Sequence, residues 1–307
     1  MKKLYYLFLA FVLLAPVRGN TQYAWNHYTT RSEYLIGLGV SQFLGDLGGS
    51  STIGTHFLKD FNFNAIRPAM EIGYRYHINP YFAAKGMFTL ARLYGDDALS
   101  TEPYRHNRNL NFRAPLLEIS GQFEYFFYRN SQIGHRYHIK HAHGFQKFAV
   151  DAYLFVGFGG FFFNPEGRYI NGQWYSLRPL STEGEGLPGG PPPYSRISYC
   201  VPLGIGAKYA ISPQWTVGLE ISDRIYTGTD YIDDAHGVYY NNATILQQKG
   251  PIAAYFADPS LGEIQQFHPP DTPGFERADA THNDTYMFTF ITVSYTPPYH
   301  RRTRSKF

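Results

Sequence analysis

Residues 195–210, SRISYCVPLGIGAKYA, decide the fold. Ile197, Tyr199, Val201, Leu203, Ile205, Ala207 and Tyr209 share one face, and Ser198, Cys200, Pro202, Gly204, Gly206 and Lys208 share the other. A period of two means a strand. Tyr199 and Tyr209 bracket the apolar face; at about 3.3 Å per residue and a tilt of roughly 40° they stand about 25 Å apart in height, the apolar band of a bilayer. An amphipathic ring at each edge suits the two membrane interfaces. A soluble lipocalin-like barrel alternates as well, with its apolar face turned inward. The second face argues for lipid outside: small residues and an occasional charge suit a narrow lumen, whereas a soluble exterior needs dense Lys and Glu. Pro202 lacks a ladder donor, so a bulge or weak pairing is expected there.

Composition agrees. The 307 residues are 44% hydrophobic and 18% aromatic but only 17% charged, and the mean hydropathy is still −0.32. Alternation dilutes hydropathy in this way. After the first twenty positions no apolar run approaches the ~18 residues of a spanning helix. Lys2, Lys3, the apolar run Leu4 to Val17 and Gly19 read as a secretory signal, giving residues 1–22 as signal peptide, 23–296 as barrel and 297–307 as a basic tail. The lone Cys200 has no disulfide partner and reads as a small filler. A net charge of +3 gives no footprint for nucleic acid.

Outward from the opening stretch, alternation recurs over Tyr34–Leu44, Met70–Tyr76, Phe82–Tyr94, Leu117–Phe127, Phe148–Phe163, Trp215–Tyr226 and Tyr286–Tyr295. The two faces of the last run are too alike to assign. Arg92 falls on the outward face and must snorkel or mark a bulge. The expectation is an all-β, antiparallel transmembrane barrel of eight strands, with short periplasmic turns, long extracellular loops and both termini in the periplasm. Val238–Leu246 and Ile252–Phe256 have strand character, so ten strands stay open. The Leu187–Pro193 segment and the Thr227–Asn283 loop read as solvated.

On these faces the lumen receives Glu71, Glu118, Glu124, Asp151 and Glu220 against Arg75, Lys85, Lys208 and Arg224. Balanced charges in a lumen only wide enough for side chains pair most simply as a plug. His135, His138, His141 and His143 are spaced to ligate zinc or copper, but no cysteine or carboxylate accompanies them, so a solvated basic turn is the simpler account. Asp230, Asp233 and Asp234, like Asp96 and Asp97, lack calcium-loop spacing and read as turns and caps. No nucleophile motif, dinucleotide fingerprint or phosphate loop is present, so neither an enzyme nor a cofactor is expected. The tail carries Arg301, Arg302, Arg304 and Lys306, suited to an acidic protein surface.

Six segments occur in order: Leu93–Asp97 (LYGDD), Arg108–Arg113 (RNLNFR), Phe163-Asn164-Pro165, Trp174 through Pro179–Gly184 (PLSTEG), Pro202–Gly206 (PLGIG) and Thr229–Asp234 (TDYIDD). Together they resemble the PorG-like outer-membrane barrels of Gram-negative bacteria associated with the type IX secretion system. The resemblance implies a barrel among outer-membrane lipids that accompanies a periplasmic ring of PorK- and PorN-like proteins, and it implies no catalytic residue. The histidine-rich turn and the long last loop depart from it, and the alternative function is a stand-alone structural barrel or a small-molecule transporter.

Overall fold

The computed structural model describes residues 31–45, 47, 65–100, 102–129, 150–212, 214–263, 273–281 and 283–297. Its strands are β1 (Ser32–Leu44), β2 (Arg67–His77), β3 (Phe82–Asp96), β4 (Asn111–Arg129), β5 (Val150–Phe163), β6 (Glu166–Arg168), β7 (Trp174–Ser176), β8 (Ile197–Ala210), β9 (Trp215–Thr227) and β10 (Thr285–Tyr295). All ten belong to one sheet, in which β6 and β7 form a hairpin hanging from the top of β4; the other eight close on themselves, each antiparallel to its neighbours. Closure is made where β1 pairs with β10, from Tyr34↔Tyr295 to Leu44↔Thr285. A closed wall has no edge strand to leave backbone groups unpaired, which is what a lipid surround demands.

The turns at one end are tight. Asn79 Oδ1 accepts from the N–H groups of Tyr81 and Phe82 at 2.8 and 2.9 Å, and Ser212 Oγ accepts from Trp215 N at 3.0 Å. Arg31 and Thr296 bond to the backbone of His77 and Gln214 at this same end, so the described chain enters and leaves there.

Faces follow the alternation. Leu203, Ile205 and Tyr209 point out, while Cys200, Gly206 and Lys208 are buried. The inward glycines of β8 are required by close approach: a Cβ on Gly206 would sit 2.3 Å from the Tyr153 ring, and one on Gly204 2.4 Å from the Phe155 ring. The register shifts between Val201 and Pro202, where the missing donor falls. A second bulge, between Phe126 and Tyr128, leaves Phe127 and Tyr128 both exposed. Arg92 is exposed within unbroken pairing, so it snorkels rather than bulges. Aromatic rings ring the outside at both ends. Tyr34 meets Tyr74 and Trp215 meets Tyr295 near the short turns, with centroids 5.6 and 4.9 Å apart; Tyr199 lies near Phe158 and Tyr226 toward the loops.

The eight-strand wall stands, and one expectation is corrected. Among the described residues the last loop adds no hairpin to the wall: it forms helices Asn242–Lys249 and Pro251–Ala257, and Val238 makes only an isolated bridge to Glu276. Asn241 caps the first helix by accepting from Thr244 N, and Pro251 starts the second after Gly250 at φ +90°. The loops are also not solvated strings, because Leu187, Ile245, Ala253 and Ala257 form a small apolar core of their own. In β10, Tyr286, Phe288, Phe290, Thr292 and Ser294 face inward.

Candidate functional site

The lumen is filled in two layers. Toward the short turns, the Arg75 guanidinium lies at the centre of an ionic network. Its Nε and Nη2 donate to both Glu124 oxygens at 2.6 and 2.9 Å, Nη1 donates to Glu33 at 2.9 Å, and Nη2 also reaches Tyr153 and Glu220 at 3.0 and 3.2 Å. Lys85 bridges Glu220 and Glu124 at 2.7 and 3.2 Å. Glu33 receives Lys208 and His77, each at 2.7 Å. Arg129 closes the lower end, 3.5 Å from Asp151 and donating to the Pro80 carbonyl. Nearly every charge here is matched by a planar fork or a bridging ammonium, the condition under which buried ions are tolerated.

Higher up, Arg224 donates twice to Glu118, at 2.9 and 2.6 Å, and once to Ser222; Tyr286 donates to the same Glu118. The Arg224 guanidinium stands 4.2 Å over the Phe288 ring. Above it the lumen turns apolar: Phe43, Leu93, Phe112, Phe161, Phe163, Tyr286, Phe288 and Phe290 pack with Leu110, Ile232 and Ala278 from the loops.

Thus all nine charges assigned to the lumen lie buried in the interior. Eight join these networks, whereas Glu71 Oε1 has no hydrogen-bond partner among the described residues. The sequence reading missed Glu33 and His77, although extending the alternation of β1 and β2 by one step puts both inward.

The loops seal the top. Asp97 accepts from Arg108 at 2.7 and 3.0 Å, and Arg108 donates on to the Arg277 carbonyl. Arg277 bonds Glu183 at 2.8 Å and the Asp234 carbonyl at 2.7 Å. Thr182 and Tyr194 donate to the Asp234 carboxylate. Burial, and then the nearby Glu185, push that carboxyl up to about 7; burial raises Glu185 as well. Five of the six segments that carry the family resemblance meet in this cap or the aromatic layer beneath it, and Pro202–Gly206 lies in the wall.

Asp96, Asp97, Asp230, Asp233 and Asp234 serve turns, caps and ion pairs, and no group of three or more His, Cys, Asp or Glu able to hold a metal occurs among the described residues. His135, His138, His141, His143, Arg301, Arg302, Arg304 and Lys306 lie outside the described residues, as does the signal segment.

No family model and no curated protein matches the chain. Among solved structures it is similar to Ail, the attachment invasion locus protein of Yersinia pestis, at 9% identity and TM-score 0.36, over 87% of this chain and 98% of that one. OprG from Pseudomonas aeruginosa gives 10% identity and TM-score 0.36 over 89% and 99%. Outer Membrane Protein W of E. coli gives 10% and 0.33 over 88% and 100%. The barrel assignment itself rests on the strand register described above.

Proposed function

We propose that the chain is a non-enzymatic, non-conducting barrel of the outer membrane that serves a protein secretion machinery of the type IX kind, docking on a periplasmic ring through its short-turn end. The observation that carries the non-conducting part is the filled lumen: an ionic layer around Arg75, an aromatic layer above it and a packed loop cap. Such a body has little use as a pore and fits an anchor that holds other proteins at the membrane. The exposed apolar wall with its aromatic girdles supports the membrane location. Secretion is supported by the resemblance to PorG-like barrels, five of whose six matching segments meet in the cap or the aromatic layer beneath it. The basic tail with Arg301, Arg302, Arg304 and Lys306 suits an acidic face of a PorK- or PorN-like ring. A stand-alone structural barrel accounts equally well for wall and plug.

Crosslinking of cells carrying the full chain or a chain ending at Pro298, with identification of what co-purifies, separates these readings. Ring components recovered with the full chain and lost with the truncation support docking. A normal set of secreted proteins after deletion of the whole gene rules out a required role in secretion.

A further inference from the structure

The top of β8, the residues just before it, the loop after β9 and Asn283 before β10 border an open cleft of about 310 Å³. Tyr194, Ser198, Thr229, Asp230, Tyr231 and His236 form most of its lining. A column of rings runs from the barrel interior to its mouth. Phe163 stacks with Tyr194 (centroids 6.4 Å, 7°), Tyr194 with Tyr231 (4.5 Å, 9°), and Tyr231 meets His236 at 4.7 Å and 40°. The base of the column is fixed, since Phe163 is fully buried and the Tyr194 hydroxyl donates to Asp234. At the mouth, buried Asp230 takes Nδ1 of His236 at 2.7 Å. Three polar atoms of the lining have no hydrogen-bond partner among the described residues: the Tyr231 hydroxyl, Ser198 Oγ and His236 Nε2.

This inventory selects a ligand class. No Lys or Arg lines the cleft, so nothing there neutralises a phosphate, sulfate or carboxylate. One carboxylate, already engaged by His236, is too few for a cation. A purely apolar guest would strand the three polar atoms. Two hydroxyls that both donate and accept, an imidazole nitrogen and ring walls match a compact molecule with alternating hydroxyls and C–H faces. The volume, at the lower limit for a ligand pocket, suits one ring rather than a chain. We propose that this rim cleft binds a neutral saccharide unit.

Ile197, 70% exposed, lines the cleft from the outer wall, and exposed Tyr199 follows it on the same face, in the aromatic girdle nearer the loops. A glycolipid headgroup or a free oligosaccharide could each supply the sugar. Only that choice of source rests on the membrane reading; the binding itself does not.

The test is saturation-transfer NMR on the full chain in detergent, probed with the methyl glycosides of glucose, galactose and mannose. In parallel, intact lipopolysaccharide in nanodiscs and its lipid-free core oligosaccharide are compared. A neutral sugar is expected to bind in the millimolar range, as an open one-ring cleft allows. Tyr231→Phe and Ser198→Ala each remove a hydroxyl without a partner, so both variants fold, as unheated gel mobility will verify, and each weakens binding roughly 3- to 10-fold. Tyr81→Phe, at the opposite end, leaves it unchanged. Binding of intact lipopolysaccharide alone supports a glycolipid source, and binding of the core oligosaccharide supports a free glycan. No transfer to any sugar, or binding indifferent to both cleft variants, overturns the proposal.

Discussion

Arg75 is the residue on which the lower lumen depends. It engages three carboxylates and a tyrosine from four other strands, so removing it leaves Glu33, Glu124 and Glu220 with Lys85 and Lys208 as the cations named around them, and with His77 as a hydrogen-bond partner of Glu33. Breaking one side of a buried ionic cluster typically costs about 3–5 kcal/mol, far more than the intact cluster contributes net. Arg75→Met is therefore expected to lower unfolding stability by roughly that amount, read from urea titration of the folded protein in detergent. A second residue gives the cap a pH dependence. Asp234 has its carboxyl raised from the ordinary 3.8 to about 7. Between those values the folded cap holds a proton that the unfolded chain releases, so stability falls as pH rises through the window, and the full penalty stands above pH 7. Protease digestion of the 227–284 loop should be slower at pH 5 than at pH 8, and Asp234→Asn should flatten that difference.

At the scale of elements, strand β8 was legible because its outward side is apolar, its inward side is glycine, proline and lysine, and nothing confuses the two. Strand β10 was not, since its inward side belongs to the aromatic upper layer and carries Tyr286, Phe288 and Phe290, as apolar as the side that faces out. Alternation reports a contrast between faces, and a lumen that packs like a hydrophobic core removes the contrast. The helices Asn242–Lys249 and Pro251–Ala257 fall in the stretches Val238–Leu246 and Ile252–Phe256, whose strand character left ten strands open. The better signals were Asn241 before the first helix and Gly250-Pro251 between them. The cap was read as solvated for a different reason: acidic and proline-rich loops look hydrophilic, yet Glu183, Asp234 and Arg277 are buried and bonded to distant segments, and Asp233 is buried in its own turn. No local pattern announces pairing across nearly a hundred residues. The cap's apolar anchor can be broken alone. Ile245→Asp places a charge in the small core of Leu187, Ala253 and Ala257, and should expose the 227–284 loop to protease while the wall keeps its heat-dependent gel mobility.

As a whole, the molecule is a closed strand wall with an apolar outside and side chains packed through its inside. The balanced lumen charges predicted a plug, and the arrangement of that plug, ionic near the short turns and aromatic near the loops, became visible only when the strands were brought together. Purified protein in a planar bilayer should give no steady single-channel current. The most direct measurement is thiol reactivity of single cysteines in a Cys200→Ala background. Leu203→Cys, Ile205→Cys and Ala207→Cys report the outer face, and Ser120→Cys and Ser222→Cys, near-isosteric changes at buried sites, report the inner one. The outer positions are predicted to react with a lipid-soluble maleimide and not with a charged, water-soluble one, and the inner positions with neither until the protein is unfolded. Reaction of the inner positions with the water-soluble reagent would mean an open aqueous channel, and reaction of the outer positions with it would mean a soluble barrel; either result contradicts the account.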